Sequence, residues 1–137
     1  TILGRTMREA PAEDMAAFER GLGVADTLAG RIGMLSTIFS ARTLGLTGEL
    51  PSESQADYLS GLLIGYEIAA LAEALRQQGE MPRIVLCGES PLCRRYALAL
   101  RHYGLGEPEL AEHATERGLW QLALSAGLVA VSKESHA

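Results

Sequence analysis

At 137 residues the chain is one domain's length, enough to bury about two thirds of its unfolded surface in a single core. Its apolar share of 47% comes mainly from Ala, Leu, Ile and Val, with only 5% aromatic residues, which favours packed helices over a β-sandwich and points to a helix-rich α/β class. Net charge is −5, with 12 basic residues scattered among 17 acidic ones, so no basic stripe exists to neutralise a phosphate backbone and nucleic acid is not expected as a partner.

The N-terminus shows no basic segment followed by an apolar one, and it begins with Thr1 rather than Met, so the chain reads as a piece of something longer. The longest apolar stretch, Leu59 to Leu75, is interrupted by Ser60, Glu67 and Glu73, and no membrane span is expected. Cys87 and Cys93 make neither a disulfide scaffold nor a metal signature, which suits a reducing cytoplasm.

Pro11 through Leu22 predicts a short helix with Met15, Phe18 and Leu22 on one face, ended by Gly21 and Gly23. Asp26 is placed to cap a second helix in which Leu28, Ile32, Leu35 and Phe39 follow the helical period until about Gly45. Gly30 and Gly33 inside it each cost on the order of 1 kcal/mol relative to Ala. Packing against a neighbour is favoured over ligand approach as their purpose. Arg42 sits where a helix end welcomes any cation, or where a phosphate or carboxylate could be met.

Leu46 to Pro51 is a turn-rich connection leading to Ser52 and Gln55, whose spacing matches a capping box. The helix from Glu53 to about Gln78 is the best-defined element. Leu59, Leu62, Leu63, Tyr66, Ala69, Ala70 and Leu75 cover much of its circumference, which makes it the central helix. Gly61 and Gly65 stack two small positions on one face, letting another backbone come close. Glu67 interrupts an apolar face and needs solvent, an Arg or a ligand hydroxyl, a solvated edge being the commoner case.

Beyond the turn Gln78-Gly79-Glu80-Met81-Pro82, the apolar run Ile84, Val85, Leu86 and Cys87 predicts a strand buried on both faces of a mostly parallel sheet. Gly88 lets the chain turn, Ser90 is the predicted N-cap and Pro91 the first helical residue. Leu92, Tyr96, Leu100 and Tyr103 form one stripe, and Gly104 follows as the C-cap. A strand, a glycine turn and a capped helix leave backbone uncovered at the carboxyl edge of a sheet, a nucleotide-sized notch where open α/β sheets bind ligands. An ordinary strand-to-helix connection reads the same way. Arg94 and Arg95 follow closely enough to meet a polyphosphate, although solvent-facing Arg is the default.

Leu105 to Ala111 predicts a loop with a short strand around Leu110, then a helix from about Thr115 to Ala126 with Leu119, Leu122, Ala123 and Ala126 inward, stopped by Gly127. The tail VSKESHA is polar and expected to fray. His102, His113 and the tail's His136 have no partner at metal-ligand or catalytic-triad spacing. The chain shows no Gly-rich phosphate loop with Lys, no paired acidic cluster for magnesium and no Ser-His-Asp arrangement, so any catalysis must borrow residues.

The blocks IFSARTLGLTGELP, ADYLSGLLIGYEIAA, IVLCGESPLCRRYALAL and GLWQLALSAGL, in this order and spacing, resemble the C-terminal half of the 2-dehydro-3-deoxygalactonokinase family. Tyr58 to Ile68 is the most specific part; the Gly-Glu-Ser turn is shared with the wider actin, hexokinase and heat-shock-chaperone ATPase superfamily. The resemblance implies a sugar-acid kinase transferring the γ-phosphoryl group of ATP, with Mg2+, to the 6-hydroxyl of 2-dehydro-3-deoxy-D-galactonate in bacterial galactonate breakdown. It implies an actin/hexokinase-like (ribonuclease H-like) fold of two α/β lobes closing on a cleft, with residues 1–137 forming the C-terminal lobe as a single domain.

On that resemblance Gly88, Glu89 and Ser90 map to the adenosine-binding turn, with Pro91 beginning the helix behind it. The N-terminal lobe, its phosphate-binding turn and acidic magnesium-associated residue, and a second Gly-Thr-containing phosphate turn have no match here. Catalytic residues are therefore expected outside this chain, no metal ligand is expected within it, and the fragment is expected to be inactive alone. The alternative is a non-catalytic α/β ligand-sensing or dimerisation module, in which the wide apolar coverage of the helix from Glu53 pairs with a second copy or a partner.

Overall fold

Asp14 starts the first helix, because its carboxylate accepts the Ala17 amide at 3.0 Å and satisfies a donor that has no partner within the helix. The computed structural model describes residues 7, 12–79, 81–111 and 113–129. In chain order it holds α1 (Met15–Ala25), α2 (Leu28–Ile32), α3 (Met34–Ile38), α4 (Ser40–Leu46), α5 (Gln55–Gln78), β1 (Val85–Leu86), α6 (Ser90–His102), β2 (Glu109–Leu110) and α7 (Ala114–Ser125). Pro11, Glu80 and the tail with His136, all singled out from the sequence, lie outside the described residues.

α1 runs through both Gly21 and Gly23 rather than ending at them. Gly21 is buried where α1 crosses α5, so the helix-propensity cost of glycine is offset by close backbone contact. Phe18, Leu22, Ile64, Ile68, Ala72, Ala99, Leu100 and Leu105 form one core cluster joining α1, α5 and α6. Ala17, Ala25, Ala41, Leu50, Tyr58 and Leu62 form a second on the other side of the same crossing. The central position expected for α5 is observed.

By length and composition α5 is apolar enough to cross a membrane, contrary to the sequence-based expectation, because Ser60, Glu67 and Glu73 lower its hydropathy too little. In this fold it is the core helix that α1 and α6 cover. Its N-cap is Ser54, not Ser52, and the predicted capping box is not formed. The Ser54 hydroxyl donates instead to Asp14 at 2.7 Å, and Ser52 donates to Glu53 at 3.0 Å. Gly79, with φ of 74°, ends the helix.

The second predicted helix is three short ones. Thr27 rather than Asp26 caps α2, accepting the Gly30 amide at 3.0 Å, while Asp26 closes α1. Gly33 leaves helical geometry at φ −128° and ψ 53°, and the hydroxyls of Ser36 and Thr37 both donate to its carbonyl at 2.8 Å. The residue α2 buries is Gly30, whose missing Cβ would meet the Val24 carbonyl oxygen at 2.4 Å. Close packing is thus its role. Leu28, Ile32, Leu35 and Phe39, the predicted inward stripe, are consequently 52–79% exposed.

β1 pairs in parallel with β2, Val85 opposite Glu109 and Leu86 opposite Leu110. With two strands the sheet cannot bury β1 on both faces: Val85 is half-exposed and Cys87 is exposed, while Cys93 on α6 is buried. The N-cap of α6 is Glu89, so Ser90 is already helical and Pro91 is its second residue. Leu92 faces outward, and the inner face is Cys93, Ala97, Ala99 and Leu100 with half-buried Tyr96 and Tyr103. Gly104, at φ of 73°, ends α6 as expected: the Leu105 amide donates to Leu100 at 2.9 Å and the Gly104 amide to Arg101 at 3.0 Å. Gly127 likewise ends α7. Within α7, however, no residue is buried, and Leu119 and Leu122, expected inward, are exposed along with Trp120.

Candidate functional site

Because β1 and β2 are parallel, their carboxyl ends share one edge, and each strand leads into a helix that begins there. Residues 87–89 carry β1 into α6, and Ala111 and His113 lie between β2 and α7. Between them lies a cleft of about 520 Å³, with Cys87, Gly88, Glu89 and Ser90 on one side and Ala111, His113, Ala114, Thr115 and Glu116 on the other. A side groove of about 350 Å³ shares Gly88, Ser90 and Ala111 and continues past Cys93 and Arg94. The combined space is within the range of small-molecule sites.

Two helix N-termini therefore border one cleft, and their first amides have no acceptor within the helices. Their dipoles favour electron-rich ligand atoms. Glu89 and Glu116 line the same space and oppose a dense negative charge. The Glu116 carboxyl is held below the usual carboxylate range by its own backbone amide and then by His113, whose Nδ1 lies 3.6 Å away. Donors from the helices and acceptors from the carboxylates suit a neutral, hydroxyl- and nitrogen-bearing ligand such as a nucleoside better than a triphosphate.

At the bend Gly88 has ordinary backbone geometry, and an added Cβ would meet only Cys93 Sγ, at 3.7 Å. Nothing in the packing requires glycine there. What its missing side chain does is leave the cleft open. Of the residues marked from sequence, Gly88, Glu89 and Ser90 line the cleft, while Pro91 stands one step back in α6. His113, Thr115 and Glu116 form the opposite wall and were not marked. The available signal was the same strand-to-helix pattern repeated at Leu110.

Arg95 does not face the cleft. It pairs with Asp57, and its guanidinium lies 5.4 Å over the Phe18 ring. Arg94 borders the side groove and sits 3.5 Å from Glu13. Glu67 accepts the Tyr96 hydroxyl at 2.6 Å on the surface of α5, and His102 lies 3.6 Å from Asp26. Arg42 is half-buried on α4 and makes no ion pair among the described residues. Among those residues no group of three or more His, Cys, Asp or Glu is placed to hold a metal ion.

The sequence profile for 2-keto-3-deoxy-galactonokinase matches residues 1–122, a span containing both walls of the cleft. The chain belongs to the 2-keto-3-deoxy-galactonokinase family. Over 109 residues it is 30% identical to the 2-dehydro-3-deoxygalactonokinase of Escherichia coli (strain K12), covering 79% of this chain and 34% of that protein. The chain thus spans about a third of the length of this galactonokinase relative. The family seen in the four sequence blocks is the one the comparison finds, and the helix-rich structure with its two-stranded parallel sheet is compatible with the expected α/β class.

Proposed function

We propose that this chain supplies the adenosine-holding wall of a kinase that transfers the γ-phosphoryl group of ATP to the 6-hydroxyl of 2-dehydro-3-deoxy-D-galactonate. The observation carrying this reading is the cleft at the carboxyl edge of β1 and β2, opened by Gly88, in a member of this kinase family. Gly88 admits the purine or ribose, and the amides and hydroxyl at Ser90 donate to its polar atoms. Glu89 and Glu116 accept from ribose hydroxyls, and Pro91 fixes the start of α6 behind the turn.

In this reading residues 1–137 are one lobe of an actin/hexokinase-like kinase acting in the cytoplasm. Phosphate and Mg2+ are handled by the polypeptide corresponding to the remaining length of the relative. In-line transfer requires both substrates to be held together, so one wall alone is inactive. The apolar residues that α7 leaves exposed, Leu119, Trp120 and Leu122, suit the surface that meets that polypeptide.

A second reading rests on α2 and α3, whose exposed Leu28, Ile32 and Leu35 could pair two copies in a ligand-sensing dimer. The coverage of α5 that first suggested such a module is largely accounted for by its own core. Calorimetry with adenosine and ATP separates the two readings. The kinase wall binds both weakly, with adenosine nearly as tight as ATP, and mixing with the remaining polypeptide restores ADP production and shifts Trp120 emission. A complete enzyme containing this segment that does not phosphorylate the sugar acid overturns the assignment.

A further inference from the structure

We infer that His113, on the wall of the cleft opposite Gly88, reads the base: its imidazole accepts a hydrogen bond from the 6-amino group of adenine and so selects adenine nucleotides over purines that lack this donor. The inference deepens the nucleotide reading of this cleft and rests on it.

His113 holds its backbone at φ 54° and ψ 26°, in the left-handed region. Among the described residues every other positive φ belongs to a glycine. A side chain there costs stability that glycine would not, because its Cβ crowds the following carbonyl oxygen. Within the chain the imidazole offsets little of that cost. As N-cap of α7 it accepts no helix amide, it is 77% exposed, and its ionic contact is with Glu116, itself 71% exposed. It does line the cleft of about 520 Å³ that Gly88 and Glu89 border from the other side. A strained residue whose side chain serves the fold so little is placed for what enters the cleft.

The neighbour of the imidazole specifies the chemistry. His113 Nδ1 lies 3.6 Å from Oε1 of Glu116, which stands in the first turn of α7. An ionised carboxylate only accepts, so it draws the imidazole proton to Nδ1, and the neutral ring presents the lone pair of Nε2. Glu116 thereby fixes which ring nitrogen is the acceptor. On a purine the 6-amino group is the donor that suits it, whereas a 6-oxo oxygen or an unsubstituted ring edge offers no donor at that position. Cys87, Ala111 and Ala114 line the same cleft and give the flat ring apolar contact.

The test titrates the full chain by calorimetry with adenosine and with purine riboside, which lacks only the 6-amino group, and repeats both titrations with His113→Gly. Glycine takes the left-handed conformation without strain, so the thermal midpoint of this variant should be no lower than that of the parent. The parent should bind adenosine about tenfold more tightly than purine riboside, the scale of one hydrogen bond, and His113→Gly should bind the two equally. An adenosine preference that persists in the folded glycine variant, or is missing from a parent that binds both nucleosides, overturns the role of His113 and leaves the nucleotide cleft standing. A midpoint several degrees lower in His113→Gly assigns the side chain to the fold and overturns the inference as well. A parent that binds neither nucleoside overturns the nucleotide reading itself, and this inference with it.

Discussion

Gly21 of α1 and Gly61 of α5 define one helix crossing from its two sides. A Cβ at Gly21 would fall 2.1 Å from the Tyr58 carbonyl oxygen, and one at Gly61 would fall 2.0 Å from the Phe18 carbonyl oxygen. The obstacles are backbone atoms of packed helices, which no rotamer change can move. Gly61→Ala should therefore force α1 and α5 apart and cost about 3 kcal/mol, at the upper end of overpacking effects. Gly23→Ala, in open space on the same α1, should instead gain about 0.5–1 kcal/mol. Urea denaturation of both variants checks the contrast, and equal midpoints would contradict the crossing.

Asp57 and Arg95 join α5 to α6 with side chains only 9% and 13% exposed, and Asp57 also accepts the Asp14 amide at 2.7 Å. One pair thus fixes three elements. Arg95→Met should cost about 3–5 kcal/mol, because it leaves the poorly solvated Asp57 carboxylate without its cation, and Asp57→Asn should cost less, because Arg95 keeps Glu13 at 3.6 Å. The double variant should lose clearly less than the two losses together. A double-mutant cycle by urea denaturation measures this coupling, and strict additivity would show that the pair is not a unit.

The legible parts of the fold were those decided within a few residues. The length of α5, the Gly61 approach and the left-handed Gly104 follow from spacing or from backbone geometry available to glycine. The direction of the stripe Leu28, Ile32, Leu35 and Phe39 was not legible. Gly33 interrupts the helix, so one periodic pattern is divided among α2, α3 and the junction at Phe39 and no longer defines a single face. Ser54 displaced Ser52 as cap because the decisive partner of its hydroxyl is Asp14, forty positions away. For the cleft, the wall at Gly88 was readable, whereas His113, Thr115 and Glu116 join it only through the parallel pairing of Val85 with Glu109.

Gly88→Ala separates folding from binding. Its new methyl meets Cys93 Sγ at ordinary contact distance, so thermal stability should remain within about 0.5 kcal/mol of the parent. If a purine or ribose rests on this backbone, the same methyl should weaken adenosine binding by about tenfold, and Gly88→Val by more. Calorimetric titration of the folded variants reads the effect. Unchanged affinity in the valine variant would remove Gly88 from the nucleotide contact.

Alkaline pH tests the two half-buried phenols. The Tyr96 hydroxyl is pushed up to about 12, first by donating to Glu67 and then by burial, and Tyr103 reaches about 12 through burial and the charge of Asp26. An unfolded tyrosine titrates near 10. From about pH 10 to 12 the unfolded chain releases protons that the folded chain keeps, so stability from these groups is complete below pH 10 and declines as pH rises through this window. At the acid end the sign reverses. Asp14, lowered first by the Ser54 hydroxyl, and Glu109, lowered first by Arg83, stabilise the fold above the ordinary carboxyl range and lose that contribution as pH falls through their folded values. Urea midpoints across both ranges should therefore decline at either extreme. The Tyr96→Phe/Tyr103→Phe double variant should flatten only the alkaline limb; the parent slope persisting there would exclude these phenols as its source.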